Sequence, residues 1–338
     1  MKLFLTVFVA GAITLSNTVM AKTELTVNCF FGPKHLACAK VLPAWIDEVE
    51  KVTEGRVTGI IPPKSVAPPP KQLSAVEKGI ADAAIQFNGL IANRVQGPLV
   101  AMNLFIGNND VEAMSKALWE TNRRFFPDEF DTVHLLSQWV ISPGELFSQT
   151  NKPINSIKDM ASRKLWALPG PLSNVAKKIG AGVVSTPAVK SNEVIGRGVV
   201  DGHLGLDPQG VRAFQLIPYT KSMTQFSKAI YATSFSFIIN KDVWAKISPA
   251  DQRAIAAISG EALALKFAKG WSESTASAFK EFKTNGIQVV KADPAFEKAF
   301  IEASSSINQK WLEDTKKAGL DAEGILKFYK QRLNELSQ

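Results

Sequence analysis

The feature that most restricts the fold of this chain is a pattern that occurs twice. Glu77-Lys78-Gly79-Ile80-Ala81-Asp82-Ala83 returns as Gly196-Arg197-Gly198-Val199-Val200-Asp201-Gly202. Each copy reads as a helix stopped by glycine and followed by a short apolar strand with aspartate at its edge, since glycine takes the left-handed conformation at a helix end without a Cβ clash. Helix–glycine–strand junctions also recur by chance in α/β proteins, so the pattern sets the class first. Its presence in both halves predicts two lobes of related topology.

Neighbouring segments fit that alternation. Thr23 to Cys29 alternates and is rich in Leu and Val, as a strand would be. Leu42, Trp45, Ile46 and Val49 share one face of a helix ending near Gly55, and Arg56 to Pro62 reads as the next strand. Pro68-Pro69-Pro70 fits neither a helix interior nor a central strand. Ser248-Pro249 supplies a capping serine and a proline at the first helical position. No proline follows until beyond Phe282, and Gly270 costs about 1 kcal/mol in a helix. A helix of roughly 30 residues, ~45 Å long, is therefore expected to run along both lobes.

At the N-terminus, Lys2 precedes an apolar run from Leu3 through Ile13 and then Val19-Met20-Ala21. That order predicts a signal peptide over 1–21, cut after Ala21, with release of a soluble periplasmic chain because no cysteine stands at the cut. Nothing later reaches the ~18 consecutive apolar residues of a membrane helix. Roughly 317 mature residues suit two lobes with separate cores. The cut takes Lys2 and no acid from a formal charge of +8, and the remaining excess is scattered. Its densest basic stretch, Lys316 to Arg332, contains Asp321 and Glu323, so no nucleic-acid groove is expected. Cys29 and Cys38 can close a short loop as a disulfide in an oxidising compartment, two free thiols being the alternative. His35 alone makes no metal site, and no dense Asp/Glu/His cluster calls for a metal or other cofactor. With only His35, His134 and His203, no Gly-x-Ser-x-Gly elbow, no His-Glu-x-x-His and no phosphate loop, catalysis is not expected; His203 near Asp201 reads as a strand-end neighbour.

Ordered motifs carry a family resemblance. They are Val52-Thr53-Glu54-Gly55-Arg56-Val57, Val76 to Asp82, Asn151-Lys152-Pro153-Ile154, Asp159 to Trp166, Gly198 to Gly202, Val243 to Pro249 and Asn285-Gly286-Ile287-Gln288-Val289. In this order they resemble the solute-binding proteins of tripartite ATP-independent periplasmic (TRAP) transporters, of the C4-dicarboxylate-binding DctP type. The resemblance implies an α/β, two-lobed periplasmic binding protein fold with hinge strands and a long domain-spanning helix. It also implies a small-molecule ligand enclosed between the lobes and TRAP membrane permease subunits as partners. Lobe I is expected over 22–143 plus 232–271 and lobe II over 144–231 plus 272–338, in a monomer.

Two departures bear on the ligand. The family's arginine, which clamps a substrate carboxylate through two parallel hydrogen bonds, ends a segment read here as Asp159-Met160-Ala161-Ser162-Arg163-Lys164-Leu165-Trp166, so Trp166 holds its place. Arg163 would point to the opposite face of an alternating strand. Where the family has Gln-Glu-Asn-Pro, this chain has His203-Leu204-Gly205-Leu206-Asp207-Pro208, setting Asp207 at the asparagine. Glu145, beside Gly144, is a further candidate at the entry to lobe II. An indole and nearby acids suit a small ammonium ligand, of which ethanolamine is the type, better than a carboxylate. Phe30, Phe31 and Phe235, with Trp139, Phe87 and Asn88, complete the candidate ligand-binding set. A carboxylate or uncharged ligand using Arg163, Arg212 or Lys164 is the alternative, and a ligand-presenting sensor subunit is the alternative role.

Overall fold

Two sheets share the chain in the computed structural model, which describes residues 22–338; the signal-peptide reading of residues 1–21 lies outside them. The first sheet has the order β2-β1-β3-β10-β4, from β1 (Thr23–Asn28), β2 (Val57–Ile60), β3 (Ala83–Phe87), β4 (Val133–Val140) and β10 (Ser234–Asn240). β1 lies parallel to β2 and β3, while β10 is antiparallel to β3 and β4. The second sheet runs β11-β9-β5-β8-β6-β7, from β5 (Leu146–Ser148), β6 (Lys164–Ala167), β7 (Gly182–Val184), β8 (Gly202–Leu204), β9 (Ser222–Gln225) and β11 (Gln288–Lys291). The chain thus passes from the first sheet to the second after β4 and returns after β9.

Helices follow the strands as the alternation predicts. In the first lobe they are α1 (Leu42–Val52), α2 (Gln72–Glu77) and α3 (Val111–Phe125); in the second, α4 (Ile157–Ala161), α5 (Pro171–Ile179), α6 (Ser191–Gly196) and α7 (Pro208–Ala213). After β10 come α8 (Lys241–Lys246), α9 (Pro249–Ile258), α10 (Gly260–Thr284), α11 (Pro294–Lys317) and α12 (Ala322–Leu336). α1 buries Leu42, Trp45, Ile46 and Val49, with the Trp45 ring edge-on to Phe237 at 4.8 Å.

The twice-occurring pattern performs one structural job in both lobes. Gly79 and Gly198 each adopt φ 66°, a region that favours glycine, and end α2 and α6. Asp82 then accepts the Thr26 amide at 2.7 Å, and its own amide donates to the Thr26 carbonyl at 3.0 Å. Asp201 repeats this with Lys164, at 3.1 and 2.9 Å. Each aspartate therefore fixes the register between its strand and the parallel strand beside it.

The long helix differs from the expectation in one respect. It breaks between α9 and α10, where Ser259 leaves helical geometry and Gly260 takes φ 55°. Tertiary contacts hold the break: the Trp45 indole donates to Ser259 Oγ at 3.1 Å, and the Ser137 hydroxyl donates to the Gly260 carbonyl at 2.7 Å. α10 still spans the molecule, packing on α3 and β4 at one end and on α7 at the other. The C-terminal boundary also differs, because α12 lies on α3 of the first lobe, where Arg332 meets Glu120 at 3.0 Å.

Cys29 and Cys38 are bonded (S–S 2.01 Å), tying the end of β1 to the π-helical turn Ala37–Val41 that leads into α1. Closing a loop of this length removes about 2.5 kcal/mol of conformational entropy from the unfolded chain. Cys29→Ser/Cys38→Ser should lower the unfolding free energy by about that amount in urea melts; an unchanged midpoint would show that the bond contributes nothing.

Candidate ligand site between the lobes

Three strands of the first sheet lay aromatic rings side by side. The register sets Phe235 on β10 opposite Phe87 on β3 and Trp139 on β4. Period-two alternation puts all three on one face, with ring centroids 5.6 and 5.8 Å apart. The loop leaving β1 adds Phe30 and Phe31, whose rings lie 4.3 Å apart, and Phe31 stacks on His35 at 3.9 Å and an interplanar angle of 6°. Trp271 of α10 stands 5.4 Å from His35 and 6.2 Å from Phe235. The second lobe contributes Phe214, just after α7, at 6.2 Å from His35.

These rings border a small cavity of about 50 Å³ between the lobes, closed further by Leu168, Pro187 to Val189 and Gly205 to Asp207. Among the described residues, no lysine or arginine lines it. Its polar members are His35, Asp207, Gln209 and Thr233. His35 Nδ1 accepts the Ala37 amide at 3.2 Å, and burial holds the imidazole down at about 3, so it is neutral.

Asp207 caps α7 by accepting the Gly210 amide at 2.9 Å, and its other oxygen lies 3.4 Å from the Thr275 hydroxyl. Burial pushes this carboxyl up to about 7, against the pull of the Gly210 hydrogen bond. Behind it, Glu145 is pushed to about 8, by burial first and by the charge of Asp207 second. Glu145 keeps some solvent access as a residue, yet its Oε2 is sealed and has no hydrogen-bond partner among the described residues. The nearby cations are engaged elsewhere: Arg212 with Glu281 at 3.2 Å, and Arg163 with the Thr150 hydroxyl and Lys152 carbonyl at 2.8 and 2.7 Å.

Of the residues singled out in the sequence, Phe30, Phe31, Phe87, Phe235 and Asp207 line the cavity. Trp166 does not: its side chain is 0% exposed inside the second sheet, and its indole N–H donates to Thr186 Oγ at 2.8 Å. The strand position that carries the clamp in the family here fills the core. Trp139 is held behind the wall, stacked on Phe267 at 3.8 Å. Asn88 is bound to Ser234 and Ser236 at 3.2 and 2.8 Å, and Glu145 stands behind Asp207 and off the wall. Sequence reasoning missed His35, Gln209, Phe214, Thr233 and Trp271. Trp271 stands one turn beyond Phe267 at helical spacing, which reads as core, and the others carry no motif. Among the described residues, no group of three or more His, Cys, Asp or Glu is placed to hold a metal ion, and no helix is long and apolar enough to cross a membrane.

Two sheeted lobes, paired crossings between them and an enclosed cavity at their junction define a two-lobed binding protein. The chain belongs to the bacterial extracellular solute-binding proteins, family 7 (DctP), whose family model matches residues 32–314. It is 31% identical over 322 residues, 95% of this chain and 94% of the relative, to the outer membrane transporter protein TsaT of Comamonas testosteroni. A TRAP periplasmic solute-binding protein from Bordetella bronchiseptica, solved with bound (R)- and (S)-mandelate, superposes with a TM-score of 0.87 at 30% identity, covering 93% of this chain and 99% of that one. A marine metagenome TRAP solute-binding protein specific for aromatic acid ligands shares the fold (TM-score 0.87, 21% identity, 94% and 100% covered). The protein is therefore a TRAP periplasmic solute-binding receptor and not an enzyme, of a family that works with membrane permease subunits.

Two outcomes follow. Trp166→Ala should cost roughly 3–5 kcal/mol of stability, as a large core deletion does; a loss below 1 kcal/mol in a denaturant melt would contradict its place in the core. Glu145 ordinarily ionises near 4.5 but keeps its proton to about 8 when folded. Its carboxyl therefore favours folding at low pH, and that contribution is lost as pH rises from 4.5 towards 8. The stability difference between Glu145→Gln and the parent should grow in the variant's favour over that interval, by at most about 1.4 kcal/mol per pH unit, then level off. Calorimetric melts from pH 5 to 9 measure it, and a flat difference would refute the buried, proton-retaining carboxyl.

Proposed function

We propose that this receptor captures a small monocyclic aromatic carboxylate in the periplasm and delivers it to its permease. The observation that carries this reading is the cavity wall: five phenylalanines, one tryptophan and one stacked imidazole, with no cation. Burying a phenyl ring of the ligand is worth about 1.5–3 kcal/mol, and well-oriented ring pairs add ~0.5–1.5 kcal/mol. The mandelate held by the 30% identical relative from Bordetella bronchiseptica supports the same class of ligand. A C4-dicarboxylate lacks the ring this wall fits and would find no guanidinium where Trp166 stands. The enclosed space of about 50 Å³ is smaller than a phenyl ring needs, so a filled site requires the lobes or rings to part from this arrangement; touching rings from both lobes, the ligand then favours a closed form over an open one. Export by cleavage after Ala21 and action as a monomer belong to the same proposal.

A second reading is an aromatic amine. It is favoured by Asp207 on the wall and Glu145 behind it, neither of which forms an ion pair among the described residues, since Arg212, whose charge reaches Asp207, pairs with Glu281. The ethanolamine-like ligand expected from the sequence loses its main support, because Trp166 offers no ring face to the cavity.

Calorimetric titration and thermal shift of the mature chain with benzoate, mandelate, benzylamine, ethanolamine and succinate separate these readings. Benzoate or mandelate at a hundred times its dissociation constant should stabilise the protein by about 2.7 kcal/mol. Phe235→Ala should weaken that binding at least tenfold. A response to benzylamine alone selects the second reading, and a response to succinate alone overturns both.

A further inference from the structure

We propose that the ligand carboxylate is held by three uncharged donors, the Nε2–H of His35, the side-chain amide of Gln209 and the hydroxyl of Thr233, in place of an arginine. This rests on the aromatic-carboxylate reading above and names how such a ligand is recognised. All three residues line the cavity and are nearly sealed from outside, at 6%, 3% and 5% exposure. His35 Nε2, the Gln209 amide and the Thr233 hydroxyl make no hydrogen bond among the described residues and face the cavity rather than packed protein, whereas the sealed, unpartnered donor of the wall is the Trp271 indole N–H. In a wall whose other polar groups are the Asp207 carboxyl and the enclosed Trp271 indole N–H, these three donors are the groups a bound oxyanion would satisfy.

The tautomer of His35 follows from its surroundings. Because Nδ1 accepts the Ala37 amide, the proton of the neutral ring sits on Nε2, making that atom a donor. The near-parallel stack on Phe31 holds the ring in one plane. His35 follows β1, Thr233 precedes β10, and Gln209 lies on α7 of the second lobe, which the 6.2 Å approach of Phe214 brings to His35. A carboxylate shared among them would bind the lobes together at its polar end. Asp207 does not oppose it: one oxygen is turned to the Gly210 amide and the other to Thr275, and burial favours its neutral form. Neutral donors can solvate one carboxylate but supply no countercharge for a second. The site therefore selects monoanionic aryl acids over aryl dicarboxylates.

The test titrates the mature protein with benzoate, phthalate and benzyl alcohol, using His35→Phe, Gln209→Leu and Thr233→Val, each close in shape to the original. Benzoate should weaken about tenfold or more in each variant, benzyl alcohol by less than threefold, and phthalate should bind the parent at least a hundredfold more weakly than benzoate. Nitrogen NMR of the unaltered protein gives a reading independent of the variants' folding, since the His35 Nε2–H resonance should shift on adding benzoate. Parent binding of benzoate with all three variants within twofold and an unmoved His35 resonance overturns this inference while leaving the aromatic-acid reading intact. Binding of benzylamine with no response to benzoate or mandelate overturns both.

Discussion

The structure depends on two short segments that cross between the sheets as a pair. The amide of Ile141 donates to the Thr233 carbonyl at 3.0 Å, and that of Gly144 to the Tyr231 carbonyl at 2.8 Å, so outgoing and returning chains form a two-stranded hinge. Gly144 presses on Gly205 so closely that a Cβ would sit 2.5 Å from the Gly205 carbonyl oxygen. Glu145 and the Gly205–Leu206 turn then exchange backbone hydrogen bonds at 2.9 and 3.0 Å. This arrangement fixes how the lobes face each other. It also explains why Thr233, Asp207 and Glu145 gather at one point: they are the polar residues of the crossing and of the turn packed against it.

The cavity grows from that hinge by ordinary sheet geometry. Phe87 and Phe235 reach it because antiparallel neighbours present paired residues on the same face. Trp139 shares their row, but α10 covers it through Phe267. The wall's chemistry is uneven, with most of the π surface from the first lobe and, from the second, Phe214, the Asp207 carboxyl, the Gln209 amide and apolar turns. Of the two carboxyl groups at the junction, Glu145 avoids an uncompensated buried charge by retaining its proton, while Asp207 is supported by the Gly210 amide, the Thr275 hydroxyl and the charge of Arg212.

Much of the scaffold was legible from spacing. The glycines that end α2 and α6, the aspartates that follow them and the capping serine at Ser248 all act through local backbone chemistry, which sequence displays directly. The break at Ser259–Gly260 was not legible, because its cause is Trp45, distant in the chain and adjacent in space. The site was half legible. Phenylalanines just after β1 and on β3 and β10 could be placed by strand order, whereas Trp166 shows that alternation along a strand does not reveal which face meets the cleft. Its partner Thr186 lies beyond β7, a contact no periodicity announces. His35 alone makes no metal site, and what matters about it, the Phe31 ring it stacks on and the Nε2 left to donate, has no motif in the sequence.

The bond between Cys29 and Cys38 encloses Phe30, Phe31 and His35, three members of the wall. A short loop closed covalently has few conformations left to lose. When a ligand arrives, the ordering of those rings has largely been done by oxidation, so less of the binding energy is consumed in arranging them. The cross-link thus works as preorganisation: a covalent event made once, at maturation, lightens every later capture and release.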